Sequence, residues 1–217
     1  MGRHDGSLNF FVGASRSGKT QDLLTQVAKA PRLLVWDAEG EFSARYGLRS
    51  VEGVDELASA VRGKYGPQRI ACQPRGRRGE FDQFCRLAWI WNLQEPGSIV
   101  CEEMAGQTNA GKARGSWLTL VTRGIKYEAH IFAVAQRAQE IDKSLLGNAS
   151  SVHIFRPNTE DDALYIARRF GLQLSDIPDA DLEALVRLKD RTLRRYRVTF
   201  PGGRPRMTAI KAFSRTF

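Results

Sequence analysis

The sequence predicts an α/β fold built around a mostly parallel sheet that is flanked by helices. Short apolar runs alternate with helical patterns along most of the 217 residues, which is typical of strand–helix–strand units. The segment Gly13–Thr20 also fits the pattern GxxxxGK[ST], and it stands between a predicted strand, Leu8–Val12, and a predicted helix, Gln21–Lys29. This length suits one domain with a large core. We predict a core over about 8–155 and C-terminal helices with a β-hairpin addition over about 156–217.

The remaining elements follow from local composition and periodicity. Four- to six-residue, mainly apolar runs predict the further parallel strands Arg32–Asp37, Arg69–Gln73, Ser98–Cys101, His130–Ala135 and Ser151–Phe155. Helical spacing, clearest where apolar residues recur on one face of Glu80–Leu93, predicts helices at Val54–Lys64, Glu80–Leu93, Gly115–Val121, Glu160–Phe170 and Asp179–Leu188. The turn composition of Pro201–Arg204 predicts a hairpin between strands Arg194–Phe200 and Arg206–Phe213.

Composition excludes several classes of protein. The sequence is 42% hydrophobic but has no apolar run near the roughly 20 residues of a membrane span, and its start does not resemble a signal peptide. We therefore expect a protein of the cytoplasm without a transmembrane segment. The three cysteines lack CxxC spacing and are predicted to be reduced core residues, and the three histidines show no metal-ligand spacing. The net charge of +9 favours a polyanionic partner, nucleic acid first.

The glycine-rich segment predicts a nucleoside triphosphate site. A strand, a tight turn and a helix N-terminus direct several backbone N–H groups to one point, where the helix dipole adds positive potential. Lys19 is placed to reach the β- and γ-phosphates, and the Thr20 hydroxyl to ligate Mg²⁺. The alternative is a chance turn rich in Gly and Ser. The predicted residues for binding ATP are Gly13, Ala14, Ser15, Arg16, Ser17, Gly18, Lys19, Thr20 and Gln21.

Hydrolysis needs an acid that orders the metal ion and a base that activates water. The predicted strand Ser98–Cys101 ends in two acids, of which Glu102 is predicted to hold Mg²⁺ through water and Glu103 to activate the attacking water. The alternative is a solvated acidic turn. A second predicted strand ends in Gln136, which would reach the γ-phosphate or the lytic water if its strand lies beside the P-loop strand; the alternative is a polar residue that caps a turn.

The order of these motifs resembles a known family. Along the chain stand Lys19–Thr20, the acidic strand exit Trp36–Phe42, the Glu102–Glu103 pair, and a run from Arg123 that leads to Gln136 and Arg137. This arrangement resembles the FtsK-HerA superfamily of DNA-pumping ATPases, and it is most similar to the genome-packaging ATPases of tailless, membrane-containing double-stranded DNA viruses. The resemblance implies a RecA-like (ASCE) P-loop core that assembles into a ring, usually hexameric, around duplex DNA.

In such a ring, ATP lies between subunits and an arginine of the neighbour completes the site. By resemblance, Arg123 is the first choice for this arginine and Arg137 the second, although either is equally an ordinary surface arginine. Asp37 and Glu41 would help to order the metal ion or its waters, and Asp37 alternatively caps the turn at its strand end. The resemblance also allows contacts with the capsid vertex or with viral membrane proteins, at the packaging vertex of the virion.

Two basic segments without aromatic residues are predicted to contact the backbone of duplex DNA. The Gly106–Gly115 segment contributes Lys112 and Arg114, and the Pro74–Gly79 segment contributes Arg75, Arg77 and Arg78. The alternative for each is a solvated basic loop.

Three rival functions remain open at this stage. They are an ATPase of filamentous-phage assembly or secretion from the same superfamily, a small-molecule P-loop kinase, and a nucleotide-gated DNA-binding protein with little turnover. The first normally carries a membrane-spanning segment, and the second an arginine-rich lid.

Overall fold

The sheet holds ten strands in the part of the chain that the computed structural model describes, residues 6–211. The strands are β1 Ser7–Val12, β2 Arg32–Trp36, β3 Arg49–Glu52, β4 Gln68–Gln73, β5 Ser98–Cys101, β6 His130–Ala135, β7 Ser151–Ile154, β8 Glu183–Leu188, β9 Leu193–Thr199 and β10 Arg206–Lys211. The α-helices are α1 Lys19–Val27, α2 Glu41–Tyr46, α3 Gly53–Val61, α4 Glu80–Gln94, α5 Gly115–Arg123, α6 Lys143–Asn148 and α7 Glu160–Phe170.

The strand order confirms the predicted fold class. Across the sheet the strands run β10-β9-β8-β7-β1-β6-β5-β2-β4-β3. The seven strands from β7 to β3 are parallel, whereas β8, β9 and β10 continue the same sheet in antiparallel pairings. β1, which carries the P-loop, therefore lies inside the sheet between β7 and β6. The loops at the carboxyl ends of several parallel strands meet along one edge, where ligands bind in open α/β sheets.

Strand alternation divides the core into two layers. Phe10 and Val12 face α3 to α7 on one side of the sheet, while Phe11 faces α1 on the other. The larger layer packs the predicted apolar face of α4, including Phe84 and Trp91, against β2 and its neighbours. Because successive strand residues point to opposite faces, a continuously apolar strand such as β1 is suited to a sheet covered on both sides.

One predicted helix is wrong. The segment predicted as the helix Asp179–Leu188 contains strand β8, Glu183–Leu188, which pairs with β7 and β9. Its Glu-Ala-Leu start suits a helix, but Ala184, Leu185 and Val186 gain full burial between two strands, and this tertiary pairing outweighs local propensity. The predicted hairpin is present as β9 and β10, although residues 212 and 213 of its second strand lie outside the described range. The short elements α2, β3 and α6 were not predicted.

A buried polar contact fixes α1 to the sheet. The Asp22 carboxylate in the first turn of α1 lies 2.6 Å from Nδ1 of His153 on β7, and both side chains are almost fully buried. The imidazole stacks on Phe11 of β1 with ring centroids 4.3 Å apart, and its Nε2 lies 3.1 Å from the Ser151 hydroxyl. Since removing one partner of a buried polar pair leaves the other unsatisfied, this contact holds the helix of the P-loop in one position.

The structure also bears on the cysteines and on membrane-spanning helices, which composition addressed. Cys72, Cys85 and Cys101 are buried and free, as predicted for reduced core residues. Within residues 6–211, no helix combines the length and apolar content that crossing a bilayer requires.

Candidate active site

The P-loop turn depends on two glycines and on support from β7 and β8. Gly13 has φ +152°, and a Cβ there would lie 2.7 Å from the Cβ of Phe155. Gly18 has φ +111° and precedes α1 directly. The backbone N–H of Ala14 donates to the Arg156 carbonyl at 2.7 Å, so the chain after β7 holds the turn in place. Only glycine adopts these conformations without strain in so little space.

Lys19 lies almost fully buried at the start of α1. Its Nζ donates to the carbonyls of Gly13 and Ala14 at 2.8 and 2.7 Å. Burial lowers the pKa of Lys19 to about 8, against the opposing effect of the Glu103 and Glu102 carboxylates. The amine is therefore desolvated and held over the turn, where the charge of a phosphate would favour its protonated form.

A pocket of about 700 Å³ opens above the P-loop. It is lined by Ser15, Arg16, Gly18, Lys19, Thr20, Gln21, Glu39, Glu41, Glu102, Glu103, Val134, Gln136, Leu182 and Phe200. Six of the nine residues predicted to bind ATP are in this lining. Of the other three, Gly13, Ala14 and Ser17, the first two offer their carbonyls to Lys19 and all three are buried beneath the pocket surface.

The structure brings Glu103 and Gln136 together. β6 pairs with β1 in parallel, and Val12 lies opposite Ala135, so the chain leaves both strands at the same level. Gln136 Nε2 donates to Glu103 Oε1 at 3.1 Å. Glu103 adopts the left-handed conformation with φ +50°, which costs on the order of 1 kcal/mol in a non-glycine residue. Strain retained at one carboxylate in a pocket is typical of functional positions.

Glu102 is the buried acid of the pair. Its Oε2 is buried without a hydrogen-bond partner among the described residues. Burial raises its pKa to about 8, and the carboxylates of Asp37 and Glu41 contribute to the same shift. An unsatisfied carboxylate oxygen among other acids fits a divalent cation, which would offset both the desolvation and the repulsion.

The donor groups in the pocket suit a Mg²⁺ ion that is held partly by the protein and partly by phosphate oxygens and waters. Within residues 6–211, no group of three His, Cys, Asp or Glu side chains is arranged to hold a metal ion. Mg²⁺ is commonly held by one or two protein ligands together with phosphate oxygens and waters. The hydroxyl of Thr20 and the carboxylate of Glu102 could supply that protein share, because both residues line the same pocket.

The acidic residues that follow β2 differ in position: Asp37 is buried and caps α2, whereas Glu39 and Glu41 line the pocket. Asp37 is fully buried, and its carboxylate accepts hydrogen bonds from the backbone N–H groups of Phe42 and Ser43 at 3.1 and 2.9 Å. It therefore stabilises the first turn of α2, which matches the alternative that it caps the turn. Glu41 lines the pocket, as does Glu39, whose role the sequence pattern did not single out.

The two candidate arginines lie away from the pocket of their own chain. Arg137 is held by Asp162, with Nε 2.9 Å from Oδ1, and by Glu140 at 3.3 Å. The hydrogen bond and charge of Asp162 raise the pKa of Arg137. Arg123 is exposed at the end of α5, near the start of β6 and hence at the edge of the sheet opposite the pocket. Six strand residues span roughly 20 Å, so Arg123 does not reach the pocket of its own chain.

The two basic segments meet across a groove of about 630 Å³. Arg77, Lys112 and Arg114 line it above a floor that includes Phe81 and Trp117. Arg75 and Arg78 belong to the same exposed segment but are not part of the lining.

Both segments bordering the groove are anchored by hydrogen bonds. The buried carboxylate of Glu80 accepts from the N–H groups of Arg75 and Arg77 at 2.9 and 3.2 Å. On the other side, Lys143 N–H donates to the Gly111 carbonyl at 2.8 Å. The groove therefore has a defined shape with exposed positive charge at its rim.

Among the pocket residues that sequence reasoning missed, Leu182 and Phe200 lie outside every predicted motif. They come from the segment before β8 and from the end of β9. Neither carries a motif, and their position depends on how the antiparallel strands join the sheet. The local sequence therefore contains no signal for their location.

Replacing Glu102 by Gln is expected to stabilise the unliganded protein at high pH. With a pKa of about 8 against an ordinary 4.5, the folded protein keeps a proton that the unfolded chain releases, so stability falls as the pH rises through this window. Glutamine has no such loss. We expect the melting temperature of Glu102→Gln to match the parent near pH 4.5 and to exceed it by about 3 °C or more at pH 9.

The matched control for this experiment is Glu128→Gln, which changes an exposed carboxylate far from the pocket. It should show no comparable pH trend in thermal melts. An offset for Glu102→Gln that is the same at every pH would contradict the buried, protonated state of Glu102.

The chain is similar in sequence to a phage protein and in fold to viral NTPases. No family model matches it. It is 28% identical over 200 residues to protein P9 of Pseudoalteromonas phage PM2, covering 87% of this chain and 89% of that protein. Its fold matches the genome packaging NTPase B204 of Sulfolobus turreted icosahedral virus 2, solved in complex with AMPPCP, with a TM-score of 0.68 at 11% identity over 87% of this chain and 96% of that one. The same protein with ATP-gammaS gives 0.68 at 12% identity, covering 90% and 98%. The similarity to a phage protein agrees with the resemblance that the order of the motifs predicts, and the similarity to B204 shows a shared fold.

Proposed function

We propose that this protein is an ATPase that moves double-stranded viral DNA into a preformed capsid. The observation that carries the hydrolytic part is the hydrogen bond between Gln136 and Glu103 in the pocket that Lys19 and Thr20 also line. It joins a strand-exit carboxylate and a strand-exit amide beside the phosphate-binding turn. The B204 complexes with AMPPCP and ATP-gammaS support a nucleoside triphosphate as the occupant of this pocket.

Each residue has a defined part in the proposed reaction. The backbone of the P-loop and the Lys19 ammonium bind the phosphates, and Lys19 then exchanges its carbonyl partners for phosphate oxygens. Glu103 takes a proton from the attacking water, and Gln136 holds that carboxylate in position while it contacts the γ-phosphate or the water. Thr20 and Glu102 would hold Mg²⁺, which neutralises charge on the phosphates when bound.

Double-stranded DNA is the polyanion that we propose as the ligand of the groove. Its rim carries Arg77, Lys112 and Arg114, the chain has a net charge of +9, and no aromatic side chain belongs to either basic segment. Contacts of this kind suit the phosphate backbone of a duplex. The similarity to a phage protein and to viral genome packaging NTPases supports packaging as the task. The proposed setting is the host cytoplasm and the packaging vertex of the virion, with capsid or viral membrane proteins as partners.

The groove is connected to the catalytic acids through the chain. The segment that carries Lys112 and Arg114 begins three residues after Glu103 and continues into α5. A change in the position of Glu103 during hydrolysis would therefore be transmitted to a DNA-contacting segment. In the proposed assembly, single-domain subunits form a ring, a hexamer by resemblance, and Arg123 completes the site of the neighbouring subunit.

Duplex DNA is expected to stimulate ATP hydrolysis by the purified protein, and Glu103→Gln is expected to remove the activity. Loss of the general base should lower turnover by about 10²–10⁴-fold while ATP still binds. Lys19→Ala should instead weaken binding. Phosphate release and calorimetric titration with Mg²⁺ and ATP measure the two effects. Normal turnover in Glu103→Gln would contradict the assigned base, and measurable binding with negligible turnover in the parent would favour a nucleotide-gated switch.

Reversing charge at the groove with Lys112→Glu and Arg114→Glu is expected to weaken duplex binding by at least about ten-fold and to reduce the salt dependence of binding. Fluorescence anisotropy with a short labelled duplex at several salt concentrations measures both. The matched control, Arg168→Glu with Arg169→Glu, makes the same change in net charge at exposed positions on α7. Equal losses in both double variants would mean that only net charge matters and that the groove is not the DNA site.

Mixing Arg123→Ala with Glu103→Gln subunits is expected to restore part of the activity that each variant lacks. At some interfaces, the intact acid of one subunit then meets the intact arginine of the other, and such an arginine contributes about 10³–10⁵ in rate. ATP turnover at varied mixing ratios provides the measurement. As a control, the double variant carrying both changes should restore nothing when mixed with Glu103→Gln. Absence of recovery in the first mixture would rule out Arg123 as the shared residue.

A further inference from the structure

The nucleotide pocket has two chemically different ends. Glu102, Glu103 and Gln136 stand at the exits of β5 and β6, on one side of the P-loop strand β1. Leu182 and Phe200 come from the chain beside β8 and β9, on the other side of β1. The P-loop lies between a polar, acidic end and an apolar end. A ligand that fills the whole pocket must therefore present phosphate at one end and an apolar surface at the other.

The apolar end is attached to the P-loop by backbone hydrogen bonds. Leu182 N–H donates to the Ser17 carbonyl at 2.8 Å, and the Leu182 carbonyl accepts from Val198 N–H at 2.7 Å. Leu182 adopts φ +64°, a conformation that a side chain of this size rarely takes. A Cβ on Gly18 would lie 3.2 Å from the Leu182 Cα. The antiparallel extension is thus in van der Waals contact with the turn that binds phosphate.

Phe200 follows directly from this attachment. It stands two residues beyond Val198, which is buried in the core layer that contains α1, and it directly follows the last residue of β9. Unlike Val198, Phe200 remains 44% exposed. Its carbonyl accepts from Gly203 N–H at 3.2 Å and closes the hairpin turn. A large aromatic side chain is held at the wall of the pocket with much of its surface uncovered.

We propose that Phe200 and Leu182 form the subsite for the base of the bound nucleotide, with the base stacked on the Phe200 ring. This inference rests on the proposed function, since it assumes that a nucleoside triphosphate occupies the pocket. With the γ-phosphate at Glu103 and Gln136, the triphosphate follows the P-loop and its nucleoside reaches the opposite end. Both side chains are apolar, so they recognise the face of a base and not the pattern of donors and acceptors at its edge. ATP and GTP should therefore gain equally from Phe200.

The test compares ATP with inorganic tripolyphosphate, which carries the phosphates without a base. Calorimetric titrations with Mg²⁺ use the full chain as the parent protein and as Phe200→Ala, Phe200→Trp and Tyr65→Ala. Tyr65 is an exposed aromatic residue outside the pocket, with 69% of its surface accessible. Phe200→Ala should bind ATP and GTP roughly ten-fold to a hundred-fold more weakly, as expected for lost stacking on a base, and should bind tripolyphosphate as the parent does. Phe200→Trp should retain ATP binding, and Tyr65→Ala should change neither affinity.

The outcomes separate the two proposals. Parent-like ATP affinity in Phe200→Ala would overturn the base subsite and leave the proposed function standing. Equal weakening of ATP and tripolyphosphate would also overturn it, because the change would then act on the P-loop as a whole. Failure of the parent to bind either ligand would overturn the proposed function and the inference with it.

Discussion

The site depends on the parallel register of three strands. β1 lies opposite β6 with Val12 level with Ala135, and β5 lies opposite β6 with Cys101 level with Ala133. This register makes the glycine turn, the two acids and Gln136 leave the sheet at one edge and at nearly the same height. A shift of one residue in either pairing would turn each side chain to the other face, because strand side chains alternate. Apolar burial on both faces opposes such a shift, so the core sets the geometry of the polar site.

Electrostatic imbalance is the second constraint. Burial lowers the pKa of the Lys19 amine to about 8 and raises that of the Glu102 carboxyl to about 8, because it disfavours the charged form of each group in the unliganded protein. The carboxylates of Asp37 and Glu41 repel that of Glu102. The backbone N–H groups of the P-loop turn are the hydrogen-bond donors for a phosphate. A triphosphate with its metal ion would supply both missing partners at once. The unliganded pocket therefore contains charged groups whose partners would come from the ligand, which is typical of sites that bind a charged ligand together with a metal ion.

The antiparallel strands extend the sheet and also contribute to the nucleotide pocket. β8 and β9 continue the sheet beyond β7, and the segment before β8 hydrogen-bonds to the P-loop through Leu182. The extension thereby stabilises the turn and supplies the apolar end of the pocket. On the other side, the acids lead directly into the basic segment at the groove. The P-loop thus lies between the proposed base subsite and the basic segment at the groove, and both are attached to it through the backbone.

The fold class, most strands and helices, and the main motifs of the site could be predicted from the sequence alone. The P-loop pattern, the acids after β5 and the amide after β6 are recognisable because each is a short motif at the end of an apolar run. Most strands and helices, and the fold class, follow from periodicity for the same reason. The tertiary structure decided what depends on pairing between distant segments. Examples are β8 in place of a helix, the ion pair of Arg137 with Asp162, and the position of Phe200 at the pocket. These outcomes arise from contacts between residues that are far apart in the sequence. The free energy of such contacts outweighs local propensity, and the sequence around each residue does not reveal them.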